Sequence, residues 1–237
     1  MFTASNGLGA RPAWSAALAQ GLAAMAGPAH GGGSAPRGGA ISDQELSDTD
    51  LVDLVQGGDA TAFRGLVERF QGRIYAHIYG MIRNREEARD LTQETFVKAY
   101  RNMGGFRREA SFTTWLYRIA SNVTIDFIRK HRRVRISEFD ERIGHQEQGE
   151  DSWDPDHLHR SPGKDLERSR LYQRIMDAMQ KLGEEQRQVV LLREIEGFSY
   201  REIAETMGIP EGTVMSRLFY ARKKLQALLQ ETDDPRK

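Results

Sequence analysis

Apolar residues recur at spacings of three and four along two stretches of the chain, and this period predicts amphipathic α-helices. The first stretch holds three apolar stripes: Phe63, Leu66, Val67, Phe70, Ile74, Ile78, Met81 and Ile82; Leu91, Phe96, Val97, Tyr100 and Met103; and Leu116, Ile119, Ala120, Val123 and Phe127. The second holds Leu171, Ile175, Ala178, Met179 and Leu182, followed by Val189, Val190, Leu192 and Ile195. Neither stretch shows the sustained apolar–polar alternation of a β-strand. We therefore predict an all-α protein with two small helical domains.

The segments outside these stretches lack the helical period. Residues 1–49 are rich in Gly, Ala, Ser and Pro and are predicted to be a disordered extension, because they cannot bury enough apolar surface. A secretory signal at residues 14–26 is the competing interpretation, but no basic residue precedes Arg11, and Gln20 and Gly21 interrupt the apolar run. Residues 134–167 contain Gly, Pro and an acidic excess, which favours a flexible linker. The predicted units are an N-terminal helical bundle over 50–133, a C-terminal domain over 168–230 and a tail over 231–237.

Charge is segregated along a chain whose net charge is zero. Residues 51–133 carry 15 basic and 9 acidic groups, a net +6, whereas residues 134–167 carry 4 and 10, a net −6. Such asymmetry indicates charged partners rather than a fold. The absence of cysteine excludes disulfides and thiolate metal sites, and the histidines of Asp156–His159 are expected to be solvated, so we expect neither a metal nor a cofactor. Because no run approaches the ~18 apolar residues of a membrane span, we expect no membrane insertion and a cytoplasmic protein.

Residues 199–219 have the features of a helix-turn-helix. Ser199 and Glu202 form a capping box at the start of a short helix. Ala204 allows a close helix crossing, and Gly208 suits a left-handed turn before Pro210 opens the next helix. A helical wheel of that next helix places Val214, Leu218, Ala221, Leu225 and Leu228 opposite Ser216, Phe219, Tyr220 and Lys223, with Met215, Arg217, Arg222 and Lys224 on the flanks.

This second helix carries no acidic residue from 212 to 230. A helix that buries one face and presents neutral and cationic side chains on the other suits the major groove of DNA. The alternative is a helical hairpin with a solvated basic face, but the cap, the small residue, the glycine turn and the basic helix together favour DNA binding. Arg217 and Arg222 lie on the flanks, so we expect them to clamp phosphates rather than read bases.

Aromatic and basic side chains are interleaved around the loop that starts at Gly104. The aromatic residues are Phe106, Phe112, Trp115 and Tyr117, and the basic or amide residues among and after them are Arg107, Arg108, Arg118, Asn122, Arg129 and Lys130. Rings that stack on bases, among cations that follow the phosphates, are typical of single-stranded DNA binding. The alternative is that some of these rings pack in the core. For Trp115, core packing and stacking on DNA are equally compatible with the sequence. Phe106, in a glycine loop, has less to pack against and is the better candidate.

The segment Asp90–Phe96 is an acidic, capped helix start within an otherwise basic block. Asp90 would then match the positive end of the helix dipole. The residues alone do not distinguish this structural role from binding of a protein.

Four motifs together resemble the extracytoplasmic-function (ECF) sigma factors, bacterial RNA polymerase initiation factors of the sigma-70 type. They are Asp90–Phe96, Thr114–Asn122, Tyr200–Ala204 and Gly212–Arg217, in this order along the chain. The resemblance covers about residues 50 to 230, with 50–133 as sigma region 2 and 168–230 as region 4. It implies a protein that binds core RNA polymerase, directs it to promoters with −10 and −35 elements and promotes strand opening, and that is not itself an enzyme.

The resemblance also implies roles for individual residues. One segment would bind the clamp coiled coil of the polymerase; its residues are Asp90, Leu91, Gln93, Glu94, Thr95 and Phe96. The single-stranded −10 element, with one flipped base in an aromatic pocket, would be held by Phe106, Arg107, Arg108, Trp115, Tyr117, Arg118, Asn122, Arg129 and Lys130. The double-stranded −35 element would be bound through Thr213, Met215, Ser216, Arg217, Phe219, Tyr220, Arg222 and Lys223. The acidic linker would lie in the RNA path, and an anti-sigma factor is a further partner that the resemblance suggests.

The chain departs from the family at two positions of the second helix. Many members carry arginine or lysine where this chain has Met215, and a cation that contacts bases where it has Tyr220. The −35 base contacts at these two positions are therefore left open. The alternative function is an autonomous helix-turn-helix regulator, which binds DNA without polymerase and would need neither the docking segment nor the aromatic loop.

Overall fold

The computed structural model describes residues 46–139 and 162–231, which form helices joined by turns, without a strand. In the N-terminal unit, α1 spans Asp48–Gln56, α2 Ala62–Ile82, α3 Arg85–Asn102 and α4 Phe112–Phe139, with a 3-10 turn at Met103–Gly105. In the C-terminal unit, α5 spans Pro162–Gln180, α6 Glu184–Val190, α7 Tyr200–Met207 and α8 Glu211–Glu231. Helix α6 continues into a π-helical turn, Leu191–Ile195. The predicted all-α fold with two helical units is confirmed.

Local hydrogen bonds determine where the first and third helices begin. At α1, the backbone N–H of Asp50 donates to Ser47 Oγ at 3.2 Å and that of Ser47 donates to the Asp50 carboxylate at 2.9 Å. At α3, the side-chain oxygen of Asn84 accepts from the N–H of Glu87 at 3.1 Å. Helix α1 buries only Leu51 and Val52, too short a stripe for the apolar period to have predicted it.

The three predicted stripes of the N-terminal unit form its core. Its buried side chains include Leu66, Phe70, Ile74, Ile78, Met81, Leu91, Phe96, Leu116, Ala120 and Val123. Val97 and Tyr100 belong to the same stripes by spacing, but they are 47% and 46% exposed. Together with the exposed Gln93 they lie on one face of α3, at spacings of four and three. This face, the Gln93–Tyr100 patch, is apolar surface that the core does not use.

The C-terminal unit packs its helix-turn-helix on α5 and α6. Its buried side chains include Ile175, Met176, Met179, Leu182, Val189, Leu192, Ile203, Val214, Leu218 and Leu225. The stripes predicted at Leu171–Leu182 and Val189–Ile195 supply the first part of this core. The long helix α8 therefore has one face anchored along most of its length.

The two units are packed against each other, and their cores are continuous. Leu191 in the π-helical turn lies against Gly80 in α2. Arg187, which is 7% exposed, donates to the carbonyl of Met179 in its own unit and to that of Met81 in the other. Because the contacts Leu191–Gly80 and Arg187–Met81 join residues more than a hundred positions apart, the apolar period along the chain contains no information about them.

Several predictions fall on residues that the structure does not describe. They concern most of the extension at 1–49, the middle of the linker at 134–167, the tail and the histidines of Asp156–His159. Helices α4 and α5 extend into the predicted linker range from its two ends. None of the helices in 46–139 and 162–231 is long and apolar enough to cross a membrane.

Candidate nucleic-acid interface

The helix-turn-helix forms as its sequence indicates. Ser199 Oγ accepts from the N–H of Glu202 at 3.2 Å, and the carboxylate of Glu202 accepts from the N–H of Ser199 at 2.8 Å. Helix α7 ends at Met207 and is capped by Gly208, whose φ of 65° is the left-handed conformation in which glycine is favoured. The turn therefore aims α8 away from α7 by local chemistry that the sequence specifies.

Helix α8 has the two faces that the helical wheel predicts. Val214, Leu218, Ala221 and Leu225 are buried. The opposite side exposes Ser216 and Lys223, together with three large apolar side chains: Met215 at 47%, Phe219 at 62% and Tyr220 at 61%. Thr213 is half-buried in the first turn. The outer face of α8 is thus a protruding surface of apolar, hydroxyl and lysine groups, with the geometry that a major groove accepts.

The two arginines on the flanks of α8 are held by glutamates of the same unit. Arg217 Nη2 lies 2.5 Å from the carboxylate of Glu185, and Arg222 donates to the buried carboxylate of Glu194 at 3.0 Å and 2.5 Å. Both arginines were predicted to clamp phosphates. In this structure they serve the fold, and a clamp would have to exchange each glutamate for a phosphate. Glu194 lies between Leu192 and Ile195 of a predicted apolar stripe, and only tertiary packing brings its carboxylate to α8.

The aromatic loop packs against the first turn of α4 and is not exposed as a free loop. Phe106 is 8% exposed, and its ring lies 4.9 Å from that of Trp115 and 6.1 Å from that of Phe112, centroid to centroid. The side-chain amide of Gln56 in α1 donates to the carbonyls of Met103 and Phe106, both at 2.9 Å. Phe106 was predicted to have little to pack against, and this prediction was wrong, because α1, which the apolar pattern did not reveal, holds the loop through these hydrogen bonds. Trp115 is half-buried and is the ring of this cluster that reaches solvent.

Tyr117 lies between the two units. It is fully buried, its ring is edge to face with Phe198 of the C-terminal unit at 5.0 Å, and burial raises its pKa well above the usual value. In this arrangement no base could reach its ring. Tyr117 and Phe106 are thus the two members of the predicted −10 set that the structure places inside the protein.

The polar members of the predicted −10 set are on the surface. Arg118, Asn122 and Arg129 follow one side of α4 at spacings of four and seven, and Lys130 adjoins them. Arg107 and Arg108 are exposed in the loop, where Arg108 has a φ of 60° and pairs with Asp53. Trp115, Arg118, Asn122 and Arg129 follow one another on α4 at spacings of three, four and seven, so this side of the helix can follow a phosphate chain with one ring available for stacking.

The acidic segment Asp90–Phe96 lies in the middle of α3 rather than at its start. The helix begins at Arg85, and Glu86 and Glu87 occupy the first turn, so the helix-dipole interpretation of Asp90 was wrong. Leu91, Thr95 and Phe96 are buried, whereas Asp90, Gln93 and Glu94 are exposed. The exposed members adjoin the Gln93–Tyr100 patch. Val97 and Tyr100 were predicted to lie in an apolar stripe, although their spacing from Gln93 indicates that they share its exposed face.

No group of metal-binding side chains occurs among the described residues.

Comparisons with known proteins agree with the two helical units. A family model for sigma-70 region 2 matches residues 66–134, and one for sigma-70 region 4 matches residues 172–225.

Two curated relatives match most of the chain. The ECF RNA polymerase sigma-E factor of Haemophilus influenzae is 36% identical over 189 residues, which cover 79% of this chain and 97% of the relative. The RNA polymerase sigma-H factor of Pseudomonas aeruginosa is 38% identical over 192 residues, 78% of this chain and 96% of the relative. Among solved structures, CnrH in complex with the cytosolic domain of CnrY is similar at 26% identity and a TM-score of 0.53, covering 78% of this chain and 97% of that one.

Proposed function

Since the chain belongs to the ECF RNA polymerase sigma factors of the sigma-70 family, we propose which of its surfaces bind core polymerase and which bind promoter DNA. As a sigma factor it binds core RNA polymerase, directs the enzyme to promoters and promotes strand opening. The proposed surfaces are a polymerase surface on α3, a −10 edge on α4 and a −35 face on α8.

We propose that the polymerase surface consists of Asp90, Gln93 and Glu94 together with the Gln93–Tyr100 patch. Asp90 is exposed and offers a negative charge to a basic partner, whereas Glu94 is paired with Lys98 at 2.7 Å and would have to exchange that lysine for a group of the partner. Val97 and Tyr100 provide adjacent apolar area, which is the usual centre of a protein interface. Buried Leu91, Thr95 and Phe96 would support this surface from the core without touching the polymerase themselves.

The −10 edge would bind the opened strand through cations and one or more rings. Arg118, Asn122, Arg129 and Lys130 would contact the backbone and bases, and Trp115 would stack on a base. Tyr117 could take part only after the two units separate, because Phe198 covers it here. A −10 complex that uses Tyr117 would therefore require the loss of the contact between the units.

The −35 face would be the exposed side of α8, with the N-terminal turns of the helix in the major groove. The single observation that carries the initiation-factor function is the presence of both units in one chain: a helix-turn-helix preceded by a unit with an exposed acidic and apolar docking surface. An autonomous regulator would need only the first. We infer that the chain supplies recognition while the polymerase supplies catalysis, and that it acts in the cytoplasm.

An anti-sigma factor is a further proposed partner. The similar protein CnrH was solved with the cytosolic domain of CnrY. The surfaces that polymerase and promoter would use, the Gln93–Tyr100 patch and the outer face of α8, are exposed in the free chain, and a protein inhibitor could cover them.

The experiment that tests the function is run-off transcription with purified core polymerase and the full chain on genomic fragments, beginning upstream of its own gene. Transcripts that depend on the chain are expected, and start sites would locate the −10 and −35 elements. Co-sedimentation with core enzyme runs in parallel. Absence of both transcripts and co-sedimentation would leave the autonomous regulator as the better account.

Variants then test the residue assignments. Gln93→Ala is expected to weaken co-sedimentation about tenfold, the change that ~1.4 kcal/mol of interface energy produces, whereas Glu68→Ala, exposed on α2, should have no effect. Trp115→Ala should leave co-sedimentation intact but reduce permanganate reactivity of promoter thymines. Unchanged reactivity would remove Trp115 from the −10 site. Trp115 is a better test than Phe106, because the Phe106 ring is buried and its removal would also destabilise the fold.

A further inference from the structure

The outer face of α8 exposes an unusual amount of apolar side chain for a surface expected to bind DNA. Met215, Phe219 and Tyr220 are 47%, 62% and 61% exposed. Phe219 and Tyr220 contact each other edge to face, with centroids 5.4 Å apart and planes at 78°. Met215 and Phe219 are four residues apart and thus one turn apart on the same side. Several large apolar side chains exposed next to one another on a protein surface usually mark a binding surface.

The cations that could read guanine are largely absent from this face. Bidentate contacts to guanine come mainly from arginine or lysine. Arg217 and Arg222 are tied to Glu185 and Glu194, and Arg222 reaches a carboxylate that is fully buried. Among the described residues, Lys223 and Lys224 are the lysines of α8, both exposed and on adjacent positions beyond the aromatic pair. They can hold phosphates but leave the first turns of the helix without a cationic base reader.

We propose that Met215 and Phe219, with Tyr220 beside them, determine the −35 sequence by contacting the C5-methyl groups of thymines. The inference rests on the proposed function, which places α8 in the major groove. The occupant of this apolar face is double-stranded DNA rather than protein, because residues 212–230 hold no acidic group and the exposed lysines complement phosphate. In the major groove the thymine methyl is the apolar group that a base pair offers, and apolar side chains contact it. The −35 element would therefore contain thymines opposite the first two or three turns of α8.

The test uses holoenzyme assembled from the full chain and core polymerase. The probe is the promoter fragment located by run-off transcription, with its −35 region randomised, and sequences retained by the holoenzyme are read out. Each thymine of the selected −35 element is then replaced singly by 2′-deoxyuridine, which deletes the methyl group and keeps every hydrogen-bonding atom. At one or two positions the affinity should fall about fourfold, the factor that corresponds to ~0.8 kcal/mol for one buried methyl-sized group.

Variants assign the methyl contacts to side chains. Met215→Ala and Phe219→Ala holoenzymes should each lose the thymine–deoxyuridine difference at one position, so that the affinity ratio falls from about four to about one. Leu171→Ala, which truncates another exposed large apolar side chain of the same unit, should keep every ratio. All three residues are surface side chains, and thermal unfolding of each variant checks that the fold is retained.

The outcomes separate the inference from the function on which it rests. A selected element without thymines, or affinity that is insensitive to deoxyuridine at every position, would overturn the inference while the promoter selection itself still supports a sigma factor. Methyl dependence that survives both alanine substitutions would also overturn it. A holoenzyme that selects no −35 sequence would overturn the proposed role of α8 and the inference together.

Discussion

Tyr117 of the N-terminal unit and Phe198 of the C-terminal unit meet edge to face, with ring centroids 5.0 Å apart. Both rings are buried, and Arg73 and Glu196 pair beside them at 3.1 Å. The contact joins a residue proposed for the −10 site to the loop that precedes the helix-turn-helix. Access of DNA to Tyr117 and separation of the two units are therefore the same event.

Phe198→Ala should open the contact between the units. Truncation of a buried phenylalanine typically costs about 3–5 kcal/mol, here shared between the unit interface and the C-terminal core. Small-angle X-ray scattering of the full chain should show a larger radius of gyration. Phe219→Ala is the matched control, because it removes an exposed ring from the same unit. A lower melting temperature with an unchanged radius would mean that Phe198 supports only its own unit.

Gly80→Ala should destabilise the protein by crowding Leu191. A Cβ atom at position 80 would lie 2.8 Å from Leu191 Cδ2 and 3.1 Å from Cδ1, and overpacking of this kind costs about 1–3 kcal/mol. The loss should shrink when the change is made in a Leu191→Ala background, as urea unfolding of the four proteins would show. Gly212→Ala is the control, since a Cβ there meets no atom within 4 Å. Equal losses in both backgrounds would mean that Leu191 is not the neighbour that matters.

His77 should make stability fall in mild acid. Burial lowers its pKa from 6.5 to about 4, and neither ring nitrogen has a hydrogen-bond partner. The folded protein keeps His77 neutral while the unfolded chain takes up a proton, so stability is lost as pH falls from about 6.5 to about 4. The loss between about pH 7.5 and about pH 5 is roughly 2 kcal/mol.

Urea unfolding of the protein and of His77→Leu at both pH values measures the loss of unfolding free energy that His77 causes. The variant should lack the loss and be at least as stable at neutral pH, because no hydrogen bond is removed. Burial raises the pKa of Glu196, which acts in the opposite direction, so only the difference between the two proteins isolates His77. A variant with the same pH dependence as the parent would assign the titration to another group.

Lys223→Ala should weaken promoter binding and lower its salt dependence. Each phosphate that a lysine neutralises contributes about one to the slope of log K against log salt. Holoenzyme binding to the −35 fragment over a range of KCl concentrations should give a slope smaller by about one, with the same decrease on unrelated DNA. Lys181→Ala, exposed at the turn after α5, should leave the slope unchanged. An unaltered slope for Lys223→Ala would count against groove docking by α8.

The features that could be predicted from sequence are those that neighbours along the chain decide. The capping box at Ser199, the left-handed turn at Gly208 and the two faces of α8 all depend on residues within a few positions of one another. The same holds for the stripe that buries Leu66, Phe70 and Ile74. Propensity, capping and helical period act locally, and these elements appear where the pattern indicates them.

The features that were missed depend on partners distant in the chain. Phe106 is buried because α1 reaches it through Gln56, and Arg222 is neutralised by Glu194, twenty-eight positions away. Val97 and Tyr100 match the apolar period, yet within the described residues both stay about half exposed, although the Phe63 ring of α2 lies 5.0 Å from that of Tyr100. A one-dimensional pattern records which side chains can be buried, not which of them find a partner.

The sequence by itself determined an all-α chain of two helical units, a helix-turn-helix and the motifs of an ECF sigma factor. Only the tertiary structure decided which of the candidate DNA-binding groups are presented to solvent. It placed Phe106 and Tyr117 inside, tied Arg217 and Arg222 to glutamates and left Met215, Phe219 and Tyr220 on the surface. The physical reason is that burial and ion pairing depend on distances between segments, and these distances are set when the cores of the two units pack together.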